Sequence, residues 1–259
     1  MAIEIEGEPA LRHPHVPSDG GGIAERAILA EGTVDEREVL HLRERDELLP
    51  GRLIVLEGTD GVGRSTQVRM LRSWLECSGH AVAETEITHS ILVGPGLKKA
   101  KEQSKPGPLA LTLFYATDFV DRFEKQILPA LRSGFLVLAD RYIYSLMARA
   151  LVRGANPRWL HSIYGVALKP DAIFYLKIGL EDLLPRMLQQ GGFDYWESGM
   201  DMRLGEDLFE SFVIYQQRLL AHFDAMAEAS HFQVLDASQP VATVFEQLQE
   251  RLFPLLPQG

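Results

Sequence analysis

Arg52 to Gln67 reads RLIVLEGTDGVGRSTQ, and the fold follows from how this stretch divides. Leu53, Ile54, Val55 and Leu56 form an apolar, largely β-branched run of the kind that makes a buried strand. The run stops at Gly58, glycines recur at 61 and 63, and Ser65-Thr66 open a helical pattern. Strand, glycine-rich loop, cation, hydroxyl and helix stand in the order G-x-x-x-x-G-K-[ST], with Arg64 where a lysine is expected. Such a loop lets backbone N–H groups approach phosphate oxygens closely, on the positive end of a helix dipole. Gly58, Thr59, Asp60, Gly61, Val62, Gly63, Arg64, Ser65 and Thr66 are therefore candidates for holding a nucleotide's phosphates, and the Ser65 hydroxyl is placed to ligate Mg²⁺.

The chain has 259 residues, 46% of them hydrophobic, enough to bury one α/β domain beside an extension. No run of eighteen apolar residues and no charged-then-apolar leader is present, so no membrane association and no export are expected. The single cysteine, Cys77, excludes an internal disulfide, suits a reducing cytoplasm and is expected as a core or half-buried thiol. A net charge of −10 disfavours duplex nucleic acid as a partner, while a nucleotide needs only a local cationic pocket.

Residues 1–50 differ from the rest. Pro9, Pro14, Pro17 and the Gly20–Gly22 run favour a flexible arm, and the Glu- and Arg-rich stretch to Leu49 suits loose surface helices. His13 and His15 lack a third ligand and are set aside as a metal site. Residues 51–259 alternate strand-like and helical segments, which predicts an α/β P-loop NTPase fold, a five-stranded parallel sheet with helices on both faces. The strands are expected at Leu53–Glu57, Ala81–Glu86, Phe135–Asp140, Ala172–Lys177 and Phe232–Asp236. Helices are expected at Ser65–Ser78, Leu109–Arg132 with a bend near Pro129, Ile143–Arg153, Arg158–Val166, Leu180–Gln189, Asp207–Glu228 and Val241–Leu252. In the last but one, Phe209, Phe212, Val213, Leu219, Leu220 and Phe223 recur at helical spacing as core. Right-handed crossovers would gather the loops after the strands on one edge.

A second motif, FLVLADRYIYS, ends a buried strand at Asp140 with Arg141 and Tyr142 at that edge. A carboxylate there either holds Mg²⁺ near the P-loop or caps the next helix and pairs with Arg141; an arginine can fork onto a phosphate.

From about residue 50 to 255 the chain resembles the thymidylate kinase family of P-loop nucleoside monophosphate kinases. The resemblance rests on LIVLEGTDGVGRSTQ, LADRYIYS, LTLFYATDFVDRFEKQILPALRSG, KPDAIFYLKIGLEDLLPRM, YQQRLLAHFDAMA and VLDASQP. It implies transfer of the ATP γ-phosphoryl group to dTMP, with ATP as co-substrate and Mg²⁺ held by Ser65 and Asp140. By position it makes Asp60 the carboxylate near the acceptor's sugar hydroxyl, Phe114 the aromatic platform for thymine and Arg141 the clamp on the acceptor phosphate, with Tyr142 beside it. Ala237 and Ser238 form the loop against which adenine lies. The resemblance also makes Arg64, Asp140, Arg141, Arg186 and Arg203 the catalytic set, and the Leu109–Arg132 helix a candidate homodimer interface.

Three departures qualify it. Arg64 replaces the lysine. EITHSILVGPG lacks the family's T-R-E-P-G-G, with His89 near the missing arginine. Phe119 stands at the arginine position of A-A-D-R, and Arg122, on nearly the same helical face, is a substitute for reaching the acceptor. The lid, about residues 187–206, carries Phe193, Tyr195 and Trp196, which pack against either substrate or body. Its cations are few, with Arg186 before it and Arg203 within it, the latter either closing on phosphate or merely covering the site. Two other functions stay open, a kinase for another small phosphate acceptor and a catalytically weak nucleotide-binding regulatory protein.

Overall fold

The computed structural model describes residue 42, residues 49–88 and residues 90–257. His13, His15 and His89 lie outside the described residues, as does nearly all of the N-terminal extension. Five strands, β1 (Arg52–Glu57), β2 (Val82–Glu86), β3 (Leu136–Asp140), β4 (Ala172–Lys177) and β5 (Gln233–Asp236), form one parallel sheet in the order β2-β3-β1-β4-β5. Around it lie α1 (Arg64–Cys77), α2 (Gly94–Lys99), α3 (Pro108–Arg122), α4 (Leu128–Arg132), α5 (Ile143–Val152), α6 (Pro157–Tyr164), α7 (Leu180–Gln189), α8 (Leu208–Ala229) and α9 (Val241–Leu252). Among the described residues no helix is long and apolar enough to cross a membrane.

Because side chains alternate across a strand, β1 feeds two cores. Leu53 and Val55 pack with Val137, Ala139 and Tyr175 toward α3, α5 and α8, joined by Leu49 from before the first strand. Ile54 and Leu56 pack with Leu136, Leu138 and Phe174 toward α1, α7 and α9. All four β1 residues are buried, which is why the strand reads as a continuous apolar run rather than an alternation. The register Leu56↔Asp140 brings the ends of β1 and β3 level, and the Arg141 amide donates to the Leu56 carbonyl at 3.0 Å. The P-loop and the Asp140-Arg141 corner are thereby neighbours.

The strands begin within one residue of expectation, and the helices differ in four places. The long helix expected over Leu109–Arg132 is α3 and α4 joined by a π-helical turn at Phe123–Ile127. Pro129 has no N–H to donate one turn back, so the widened turn just upstream absorbs the missing bond. The segment Gly94–Lys99, outside the expected strands and helices, is helical and continues as a π-helical turn over Ala100–Ser104. Cys77 is exposed, not semi-buried: the buried stripe of α1 is Val68, Leu71 and Leu75, and Cys77 falls off it. In α8, Phe212, Leu219 and Phe223 are core, whereas Phe209 is exposed and Val213 and Leu220 are only half-buried.

Candidate active site

The P-loop turns from β1 into α1 with positive φ at Gly58 (142°), Gly61 (74°) and Gly63 (98°). A Cβ on Gly61 would meet the Met187 sulfur at 2.2 Å, so the loop is closed over by α7, whereas a Cβ on Gly63 would meet nothing within 4 Å. Arg64, at the first turn of α1, is buried. Its Nε donates to Asp140 Oδ1 at 2.8 Å and its Nη1 to the carbonyls of Gly58, at 2.7 Å, and Thr59. One guanidinium thus ties both ends of the loop to the end of β3, a span that a single ammonium nitrogen cannot cover. The Ser65 hydroxyl donates to the other Asp140 oxygen at 2.7 Å. Burial raises the Asp140 carboxyl, but Arg64 and Ser65 outweigh it and hold the group below the usual carboxylate range.

Glu57 closes the floor. It is wholly buried at the end of β1, where Oε1 accepts from the amides of Tyr142, at 2.9 Å, and Ser145, at 3.3 Å, and Oε2 accepts from the Ser145 hydroxyl. Burial pushes its carboxyl upward, partly offset by Ser145, Tyr142 and Arg141. Glu57 fixes the turn that presents Arg141, whose own φ is 73°, a left-handed conformation rare for a non-glycine residue. Arg141 Nη1 donates to Gly58 O at 2.7 Å and Ser145 Oγ at 2.9 Å, and Nη2 to Asp60 Oδ1 at 2.5 Å. Arg149 Nη2 takes the second Asp60 oxygen at 2.8 Å. Burial alone would raise the Asp60 carboxyl, yet Arg141, Arg149 and Arg64 together hold it far below the carboxylate range. Arg141 is pushed down to about 10 by burial and by Arg64, still charged at neutral pH.

These groups face a cleft of about 720 Å³ between the P-loop, α3, α5 and the lid. Its walls include Asp60, Arg64, Ser65 and Arg141 on the sheet edge, Leu111 and Tyr115 from α3, Arg149 and Arg153 from α5, and Phe193, Trp196 and Glu197 from the lid. The segment expected as the lid is tied down by Phe193 stacked on Phe212 with ring centroids 3.9 Å apart, and by Arg153, which donates to both Asp201 oxygens at 2.7 and 3.0 Å.

A phosphate-sized loop and a cationic cleft at one sheet edge are shared by many kinases; the pattern of residues across the whole chain decides among them. The family model described as thymidylate kinase matches residues 56–248. The chain belongs to the thymidylate kinase family. A "Probable thymidylate kinase 2" of Saccharolobus solfataricus is 38% identical over 197 residues, which are 75% of this chain and 92% of that protein. A "Probable thymidylate kinase" of Thermococcus kodakarensis is 29% identical over 206 residues, 75% of this chain and 94% of the other. A "Thymidylate kinase" of Prochlorococcus marinus is 27% identical over 217 residues, covering 79% and 96%.

This family member brings together most of its expected site residues, and leaves others apart. Asp60, Gly61, Arg64, Ser65 and Arg141 line the cleft, with Asp140 directly behind Arg64 and Ser65. Arg186 lies instead beside the loop after β5, its Nη2 donating to the Ser238 carbonyl at 3.3 Å; Ala237 of that loop is buried. Phe114 is half-buried against the core, and the next residue, Tyr115, takes the place on the wall, because one step along a helix turns the side chain through about 100°. Arg122 does not reach the cleft: it is 0% exposed, its Nε donates to Asp118 at 2.9 Å and its Nη1 to Thr85 at 2.9 Å. Phe119, expected where the family has an arginine, is likewise core. Tyr142 is buried, its hydroxyl donating to the Leu168 carbonyl at 3.2 Å, and does not line the cleft. Arg203 is exposed, in a left-handed turn with φ 52°, and is not part of the cleft wall.

Glu57, Tyr115, Arg149 and Arg153 are the residues that the motifs passed over. For two of them a signal was available: Arg149 and Arg153 continue from Arg141 and Ser145 at steps of four, which puts them on one helical face. Asp118 has another job, accepting from the amides of Thr88 and Ser90, each at 3.0 Å, so that the segment after β2 hangs from α3.

Proposed function

We propose that this chain transfers the γ-phosphoryl group of ATP to dTMP, giving ADP and dTDP. An oxygen of the acceptor phosphate attacks the γ-phosphorus and the bond to the bridging oxygen of ADP breaks. The observation that carries it is the placing of two phosphate-facing arrangements at one sheet edge. The glycine-bent loop at the head of α1 suits a triphosphate, and the Asp60-Arg141 pair beside it suits a phosphorylated acceptor. The family membership supports the same reaction.

The Ser65 hydroxyl and Asp140 carboxylate are hard oxygen donors 2.7 Å apart, and they fit a Mg²⁺ ion that completes its shell with water and substrate phosphates. Bound there, the ion would supply charge neutralisation at the phosphates. Among the described residues no group of three or more metal-ligating side chains competes with that pair. Arg64 screens negative charge at the loop while holding Asp140 in register. Arg186, beside Ser238, stands on the side where adenine would lie. Positioning and electrostatics rather than a covalent nucleophile make the rate.

ADP formation measured over a panel of nucleoside monophosphates with MgATP tests this. Turnover that depends on dTMP is expected, and Asp140→Ala should abolish it with the fold retained. Turnover with a different monophosphate alone would reassign the acceptor, and ATP binding without any turnover would leave a nucleotide-binding regulator.

A further inference from the structure

Family members of this kind must neutralise an acceptor phosphate, yet the segment after β2 here, EITHSILVGPG, contains no arginine or lysine. Three arginines face the cleft from the α5 side, and their donors are committed to different degrees. Arg153 is fully engaged, with Nε and Nη2 on Asp201 and Nη1 on the Tyr215 hydroxyl at 2.9 Å. Arg141 spends Nη1 on Gly58 and Ser145 and Nη2 on Asp60. Arg149 makes one hydrogen bond, from Nη2 to Asp60, and Nε and Nη1 have no partner among the described residues. None of its nitrogens is sealed from solvent without a partner, as Arg122 Nη2 is, so the unused donors open onto the cleft that Arg149 lines. Its side chain is only 17% exposed, which keeps the guanidinium in place and weakly screened. The Asp60 carboxylate is shared by two guanidiniums, with Glu57 near Arg141 and Glu197 near Arg149. Of the remaining cleft cations, Arg64 is bonded to Asp140 and the loop, and Lys101 sits over the Trp196 ring at 5.5 Å.

We propose that Arg149 binds the acceptor's phosphate, forming with Arg141 a two-arginine clamp that Asp60 holds in place before substrate arrives. The ligand class is a phosphate monoester dianion, which a guanidinium with unused donors is suited to bind. This rests on the proposed entry of a nucleoside monophosphate into the cleft and adds the residue that recognises its charged end.

Calorimetric titration of the full chain with dTMP and, separately, with thymidine tests the clamp, because the two ligands differ only by the phosphate. Wild type should bind dTMP more tightly than thymidine. Arg149→Leu should weaken dTMP on the order of tenfold to a hundredfold while thymidine affinity and the KM for ATP stay within about twofold. Arg149→Gln, which keeps length and a donor without the charge, should show the same selective loss and decides the matter should the leucine variant not fold. A dTMP affinity within about twofold of wild type in the variants, or an equal loss for dTMP and thymidine, would overturn the proposal, as would a wild type that binds both ligands alike. Absence of turnover with every monophosphate would instead defeat the kinase function, while the dTMP and thymidine contrast still decides the role of Arg149.

Discussion

Arg64 in the P-loop does more than supply a charge. Its Nε and Nη1 are bonded to Asp140 and to two loop carbonyls, leaving Nη2 toward the cleft it lines. A lysine would keep the charge and lose the span. Arg64→Lys is therefore expected to lower kcat about tenfold, near 1.4 kcal/mol, and to reduce the thermal midpoint by a few degrees. Steady-state kinetics and a melting curve on the same preparation check both, and unchanged values would show that the bonds to Asp140 and the loop are dispensable. Acid sensitivity follows from the neighbouring carboxylates. Asp60 and Asp140 titrate below their ordinary range in the folded chain, so their stabilisation is complete above the unfolded pKa, about 3.9, and drains away as pH falls beneath it. Each contributes a slope of about 1.4 kcal/mol per pH unit until its own folded pKa is reached. Glu57 has the opposite sign: its raised pKa means that charging it costs stability as pH climbs above the ordinary Glu value. Melting curves between pH 6 and 3 should fall steeply at the acid end, and a flat profile would contradict the pairing of Asp60 with its arginines.

At the scale of elements, the contact between the P-loop and α7 is the tightest constraint on the site. Gly61 combines φ 74° with a Cβ position 2.2 Å from the Met187 sulfur. Gly61→Ala should strain the loop and push α7 outward, costing about 1–3 kcal/mol of stability and at least a tenfold loss in kcat/KM for ATP. Comparing it with Gly63→Ala, where the added methyl meets nothing, separates backbone strain from collision. The sequence made most elements legible because apolar runs such as Leu53–Leu56 and Leu136–Ala139 are bounded by glycines and charges. It did not reveal α2, since Gly-Pro-Gly-Leu has little helix propensity of its own. That turn is held by burial of Leu97 and by Asp118 and Asp121 gripping the preceding Ser90. Periodicity placed α3 but not its rotation, so the aromatic wall came from Tyr115 rather than Phe114. Arg122 stayed inside because Asp118, four residues back, pairs with it in the core.

For the molecule as a whole, the order β2-β3-β1-β4-β5 makes β1 and β3 central neighbours, and everything chemical hangs from their adjacent ends. Leu138, 0% exposed in the middle of β3, supports that edge from below; Leu138→Ala should cost about 2–5 kcal/mol by denaturant titration and depress activity only in proportion to the unfolded fraction. The sheet and P-loop were readable from residue order because both are set by local chain direction. The cleft was less so, since its charge depends on which of several arginines find carboxylates inside the fold. Arg153 illustrates what that implies for motion. Its grip on Asp201 and Tyr215 fastens the far end of the lid to α5 and α8, while Gly191 and Gly192, both left-handed, mark the near end. A flap moored at one margin keeps its freedom at the other, so any parting from the body starts at Gly191-Gly192, where the stack of Phe193 on Phe212 resists it.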